Sequence, residues 1–316
     1  IDHKCLKVLR AKEWAGLAHL APVKTENLYA DLNSTHGKLL RRNLYANAIT
    51  ALNDHHKAIP VGRLDGLKIA SLVIGDTIGN AFQTGLQRYA PVKLFRCEKS
   101  LKREDLQALL RQLEGYDRVI VSVHNTTWRV NKDFGIPESA MDIVREIAAR
   151  QPTVFALFAN PYKLATAYGA HHLASVMVAY EETEETQDLM AQAIFGAIGT
   201  SARLPITASS FYKSGDGRDL QAIGRFNYIL PEAIGLSSED LKGVDAIVST
   251  GMTAQAFPGC EILVAVDGHV VGEVKTHIGF ATFISWSGLD IGRDRGSPVA
   301  PYAAPFTFTG KLRRVV

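Results

Sequence analysis

The sequence predicts an α/β fold. It is a three-layer sandwich with a mostly parallel sheet, preceded by connector helices and followed by an incomplete α+β segment. Three observations carry this. Short apolar runs alternate strictly with segments of helical period between about 65 and 215. The runs are continuously apolar, most clearly over 173–180, as in strands buried on both faces. Helix-start signals open the intervening segments: Thr183 is a suitable N-cap, and Glu184 and Glu185 place negative charge where the helix dipole favours it.

Composition narrows the classes. The chain has 316 residues, enough for two domains, with 47% hydrophobic and 21% charged residues. A net charge of +3 gives no reason to expect nucleic acid or an anionic membrane as partner. No apolar run approaches the roughly 20 residues of a spanning helix. Cys5, Cys97 and Cys260 are widely spaced and odd in number, which argues against a disulfide framework or a C-x-x-C metal site. They read as small buried apolar residues and leave the compartment open. The chain starts at Ile1, inside a helical pattern and without a visible signal peptide, so an N-terminal part of a longer protein is expected to precede it.

The elements follow in order. Residues 2–19 read as a helix with Cys5, Val8 and Leu9 on one side, stopped by Pro22, and 20–37 as an irregular connection. A second helix is expected over 38–53, where Leu40, Leu44, Ala48 and Leu52 repeat every four residues. Strands are expected at 67–74, 92–95, 118–123, 153–158, 173–180 and 204–207, and helices at 79–89, 102–114, 137–150 and 184–198. Residues 1–64 are the connector, 65–215 the sandwich and 216–232 a linker. A helix capped near Ser237 or Ser238 turns Leu241, Val244, Ile247 and Val248 inward. A hairpin turns at Asp267-Gly268. The segment 233–274 begins another domain, and 275–316 has no sustained period and stays unassigned.

Candidate chemistry is thin. His124-Asn-Thr-Thr-Trp-Arg129 follows the third strand, at the carboxyl edge where open α/β sheets hold ligands. His124, Asn125, Trp128 and Arg129 are therefore the candidate substrate-binding residues; the bland alternative is a surface loop tied down by Trp128. The acidic cluster Glu181, Glu182, Glu184, Glu185 and Asp188 could supply paired carboxylates but reads more simply as charge complement at a helix start. Gly75-Asp-Thr-Ile-Gly79 opens a helix but fits neither phosphate-loop pattern, so it reads as a structural turn and no cofactor is expected. Ser210-Phe-Tyr-Lys213 matches S-x-x-K by chance, because Gly215 and Gly217 follow at once. His55-His56 and His171-His172 are adjacent pairs that do not share a helix face, so no metal site is expected.

The segments 67–76, 118–123, 176–181, 192–196 and 203–205, taken in order, resemble the C-terminal α/β sandwich domain of glycoside hydrolase family 3. The most similar variety is the bacterial β-N-acetylhexosaminidase-like one, in which a serine β-lactamase-like domain follows. Residues 230–236 and 257–268 look like the opening of that domain. The resemblance covers about 1–272. It implies a retaining hydrolase of β-linked N-acetylglucosamine or similar sugars, periplasmic or extracellular, whose nucleophile lies in a preceding barrel. That barrel would be the route by which the carbohydrate partner is met. Relatives acting as β-glucosidases take an acid/base Glu from the loop after the strand matching 118–123. Here that loop holds His124-Asn125 and no Glu before Glu138, which fits the hexosaminidase-like branch. No catalytic residue is therefore expected within this chain. Residues 275–316 lack the S-x-x-K helix of the second domain, so a premature end is expected, with a reading-frame change near 271–274; sequencing the coding DNA tests it. Two other readings stay open: a non-catalytic carbohydrate-binding or interdomain module, and an acyl-serine hydrolase.

Overall fold

The computed structural model describes residues 1–19, 25–167, 169–254, 256, 260–275, 293–294 and 306–307. The chain divides into two compact units, one of residues 1–240 and 264–272 and one of 241–263 and 273–316.

The first unit opens with helices α1 (Asp2–Trp14), α2 (Leu28–Leu32) and α3 (Thr35–Ala48). None has a fully buried residue. The stripe of Cys5, Val8 and Leu9 on α1 is exposed, as are Leu40 and Leu44 on α3. Tyr45 and Ala46 of α3 pack against the core, and the rest of its contact with the sandwich is polar: Arg42 pairs with Asp188 at 2.5 Å, Arg41 pairs with Glu185, and the Tyr45 hydroxyl donates to Glu181 at 2.6 Å. Helix α3 is also shorter than the four-residue repeat suggests. It stops at Ala48, and the β-branched Ile49-Thr50 starts strand β1 (Thr50–Asp54).

Strands β2 (Ile69–Ile74), β3 (Val92–Cys97), β4 (Arg118–Val123), β5 (Thr153–Leu157) and β6 (Ser175–Val178) complete a six-stranded sheet in the order β1-β6-β5-β4-β2-β3. All neighbours are parallel except β1, which runs antiparallel to β6. Helices α4 (Ala81–Gln87), α5 (Arg103–Leu113), α6 (Glu138–Ala148) and α7 (Glu184–Ile194) supply the outer layers. The fold is thus the expected α/β sandwich. Two details differ. The edge beside β6 is taken by β1, from upstream of the expected boundary at 65. Residues 204–207 form no strand: Pro205 lacks an N–H for a ladder, and Leu204 instead bonds Asp216 and Gly215 while its side chain enters the core.

The strands' two faces explain their unbroken apolar runs. Val119, Val121, Val123, Phe155 and Leu157 share one core with Leu109 and Leu110 of α5 and Met141, Val144 and Ile147 of α6. Ile120, Val154, Ala156 and Met177 share the other with Phe82 and Leu86 of α4 and Leu189, Met190 and Ile194 of α7. Each such Val, Leu, Ile, Met or Phe side chain stabilises the fold by about 1.5–3 kcal/mol through burial.

Residues 200–228 are tied to the sandwich. Isolated bridges pair Ala51 with Arg218 and Thr200 with Leu220. Tyr212 is buried, with its hydroxyl donating to Asn53 at 3.1 Å. Strand β7 (Asn227–Tyr228) pairs with residues 269–270. Helix α8 (Ser238–Thr253) starts as expected, but of its inward set only Val248 is buried and Ile247 is exposed. Strands β8 (Glu261–Val266) and β9 (His269–Lys275) flank Asp267-Gly268, both at positive φ, as the two-residue hairpin requires. Short strands β10 (Arg293–Asp294) and β11 (Phe306–Thr307) pair antiparallel; the rest of the unassigned tail lies outside the described residues. The cysteines depart from expectation in part: Cys5 is exposed, whereas burial pushes the Cys97 thiol up to about 12.

Helices α4 and α7 touch through Gly85, where an added Cβ would lie 2.9 Å from the Ala191 Cβ. Helix propensity alone favours Gly85→Ala by about 1 kcal/mol. Overpacking costs about 1–3 kcal/mol. The contact outweighs the propensity, so urea unfolding of Gly85→Ala will show a net loss of stability; a gain would mean the interface yields freely.

Candidate functional site

Strand order fixes where a site can form. The chain runs from β2 outward to β3, then returns to place β4 on the other side of β2 and continues to β5 and β6. The carboxyl ends of β2 and β4 therefore flank the point of reversal, where open sheets leave a crevice. Asp76 follows β2, His124 follows β4, and Glu182 follows β6.

Glu182 organises this edge. Its Oε1 accepts the Asn125 amide at 3.0 Å and lies 3.1 Å from His124 Nδ1. Its Oε2 accepts the Thr126 amide at 2.7 Å. The Thr126 hydroxyl lies 2.8 Å from both that oxygen and the Phe158 carbonyl, at the end of β5. Burial by itself would raise the pKa of Glu182. The bonds from His124 and from the Thr126 amide and hydroxyl outweigh it and bring the group down to about 2.

His124 is fully buried. Its ring stacks on Phe158 with centroids 5.3 Å apart, and Nε2 lies 2.8 Å from Ser122 Oγ and 3.3 Å from Asn80 Nδ2. Asn80 Oδ1 is already engaged by the Gln83 amide, so Nδ2 is the atom facing the ring. The neutral ring with its proton on Nδ1, donating to Glu182, satisfies every partner. Ser122, His124 and Glu182 thus form a Ser–His–carboxylate relay. Ser122 is fully buried inside β4 and no acyl substrate can reach it, so the relay is structural. The other serine motif fares no better: residues 209–212 are bends, and Lys213 does not stand one helical turn beyond Ser210.

The four nominated residues separate. His124 is turned into the protein, because it sits two residues beyond the inward-facing Ser122 on the same strand face. Asn125, at φ 52°, donates its side chain to the Gly75 carbonyl. Trp128 and Arg129 stand at the tip of the loop that follows. Trp128 is 79% exposed, and the Arg129 guanidinium lies 5.6 Å from its ring centre.

That loop is held at several points. The Thr127 amide bonds the Phe134 carbonyl at 2.9 Å. Lys99 Nζ donates to the carbonyls of Asn125 at 2.9 Å and Gly135 at 2.7 Å. Lys163, fully buried, donates to Asp133 Oδ2 at 2.7 Å and lies 3.0 Å from Thr166 Oγ1. Asp133 and Phe134 are both at positive φ, a cost of about 1–3 kcal/mol each that only such over-determination sustains.

The acidic run is also resolved. Besides Glu182, it supplies Glu181, Glu185 and Asp188 as partners for α3; Asp188 further bonds Arg88 at 2.7 Å and Gln192 at 2.8 Å. Helix-start charge complement covers only part of this. Sequence reading missed Asp76, Asn80, Lys99 and Glu182 as a group, because they follow three different strands, β2, β3 and β6, and only Asp76 and Asn80 are near in sequence.

No protein-family model matches the sequence, and no curated protein matches it. Among solved structures, the chain is similar to a β-glucosidase from Listeria innocua, at 17% identity and TM-score 0.44, over 56% of this chain and 27% of that one. It is similar to a glycoside hydrolase family 3 β-N-acetylglucosaminidase from a Paenibacillus species, at 14% identity and TM-score 0.44, over 62% of this chain and 37% of that one. It is also similar to a fungal multi-domain family 3 β-N-acetylglucosaminidase carrying a glucosamine N-acetyltransferase region, at 16% identity and TM-score 0.48, over 78% and 30%. The chain spans only 27–37% of the length of these structures.

The Glu182 geometry predicts a pH signature. With the folded pKa below the ordinary 4.5, the carboxylate stabilises the fold fully above about 4.5, and this is lost as pH falls toward 2. Glu182→Gln will cost about 1–3 kcal/mol at pH 7, the range for charged hydrogen bonds at a partly solvated edge. The gap to wild type will close as pH falls from 4.5 to 2 in chemical denaturation. A gap constant down to pH 3 would show that no ionised carboxylate is at work.

Proposed function

We propose that this chain is the C-terminal sandwich of a family 3 glycoside hydrolase that acts on β-linked N-acetylglucosamine or a similar sugar, with the catalytic carboxylates supplied by a barrel ahead of it. The reading rests on one observation: four of the five segments that resemble the family's sandwich fall, in order, on β2, β4, β6 and α7, and the fifth, 203–205, follows them without forming a strand. In this reading the sandwich is a scaffold, and the loop 124–135 carries Trp128 toward the rim of the sugar site. Residues 233–274, with α8 and the hairpin after it, are read as the start of a serine β-lactamase-like domain.

The site chemistry supports a scaffold role. Retaining hydrolysis needs two carboxyl groups about 5–5.5 Å apart, one protonated near neutral pH to serve as general acid. Glu182 is held ionised, with both oxygens engaged by His124, Asn125 and Thr126. It is unsuited to donate a proton. The purified chain is therefore expected to fold and to leave a nitrophenyl β-N-acetylglucosaminide intact. Turnover that co-purifies with the homogeneous chain, and is lost in Glu182→Gln, would overturn the scaffold assignment.

A second reading, a non-catalytic carbohydrate-binding module, is favoured by Trp128 itself. An indole 79% exposed on a loop held by Lys99 and Lys163 is a ready stacking surface with little ordering entropy to lose. Calorimetric titration with N-acetylglucosamine separates the two. Saturable binding abolished by Trp128→Ala supports the module; no heat up to tens of millimolar, with the fold intact, counts against it.

A further inference from the structure

We propose that Asp76, His124 and Glu182 form a binding site for one divalent transition-metal ion. The inference rests on these residues alone and is independent of the glycosidase reading. A carboxylate oxygen from each acid and an imidazole nitrogen lie within 4.8 Å of one another. His124 Nδ1 is 3.1 Å from Glu182 Oε1 and 3.9 Å from Asp76 Oδ2. An ion about 2.0–2.2 Å from each N or O donor holds neighbouring donors roughly 3–3.5 Å apart. The first pair meets that spacing. Asp76 meets it with a small rotation of a partly exposed side chain.

The surroundings fit a metal site. If the His124 proton moves from Nδ1 to Nε2, it donates to Ser122 Oγ at 2.8 Å, the Nδ1 lone pair faces the ion, and Asn80 Nδ2 gives up its 3.3 Å contact with Nε2 while keeping Asp76 as acceptor. The shift of tautomer changes no net charge. Asp76 is oriented by Asn80 Nδ2 at 2.8 Å, and by the Thr77 amide on its other oxygen. Glu182 Oε1 accepts only the Asn125 amide once the His124 proton has moved, which leaves it a lone pair.

Charge points the same way. Two carboxylates meet one imidazole in a half-buried group, and the neighbouring cation, Lys99, spends its ammonium on the carbonyls of Asn125 and Gly135. A cation relieves the excess. One imidazole with two carboxylates suits Zn²⁺ or Mn²⁺ better than Mg²⁺ or Ca²⁺, which take oxygen. The side chains of Asp76 and Glu182 are 26% and 18% exposed, so water or a ligand hydroxyl can complete the coordination.

The test titrates Mn²⁺ into the full chain after chelator dialysis and reads free Mn²⁺ by electron paramagnetic resonance. One ion per chain is expected, with Asp76→Asn weakening binding at least about tenfold while circular dichroism shows the metal-free fold retained. No saturable binding up to millimolar Mn²⁺, or equal binding by Asp76→Asn, would overturn the site. Should that variant fail to fold, wild type still decides. Substoichiometric Mn²⁺ should broaden the backbone amide signals of Thr77, Asn125 and Thr126 before any others; earlier broadening elsewhere refutes it.

Discussion

One half-buried carboxylate sets the geometry of the sheet's carboxyl edge. Glu182 leaves the end of β6, crosses β5 and takes the two amides that begin the loop after β4. Two opposed effects meet in it. Removing a carboxylate from water is costly, and amide, hydroxyl and imidazole donors offset that cost. The donors win, so the group stays ionised. Because Thr126 also reaches the Phe158 carbonyl, the ends of β4, β5 and β6 are joined in one polar network. His124 inherits its orientation from this arrangement, and so does the path of the chain toward Trp128.

The far side of the same loop uses the same logic with the opposite sign. Lys163 is fully buried and its ammonium meets Asp133. Such a pair gives little net stability, but losing one partner leaves an uncompensated charge, at about 3–5 kcal/mol. It therefore specifies a conformation more than it strengthens the fold. Asp133 and Phe134 hold positive φ against that restraint, and Gly135 must be glycine: a Cβ there would come within 2.8 Å of the Asn125 carbonyl, at φ 76°. The result is a loop with a rigid base and an exposed aromatic tip.

Much of the fold was legible because burial on two faces leaves a simple mark. Strands β2, β4, β5 and β6 read as unbroken apolar runs, and α5 and α6 as leucine- and isoleucine-lined stripes. The errors came where pattern and packing diverge. Leu52 continued a four-residue repeat by chance, hiding β1, and Leu204 looked like a strand residue although Pro205 denies it a ladder. The loop nominated from its place after β4 does leave that strand at the sheet's carboxyl edge, and Trp128 and Arg129 are exposed there. Strand alternation, carried two residues past Ser122, turns His124 inward, which the loop's polar texture did not foretell. Asp76 and Glu182 join it only through strand order. No spacing in the chain encodes that neighbourhood.

Amide hydrogen exchange at Asn125 and Thr126 tests the central role of Glu182 most directly. Both amides lie in a loop at the sheet edge, where unbonded N–H groups exchange rapidly. With the carboxylate as acceptor, both should exchange far more slowly than the unbonded loop amides at pH 7. Their protection should collapse in Glu182→Gln while the amides of β4 and β5 stay protected. Fast exchange of these two amides in wild type, or protection unchanged in the variant, would contradict the account.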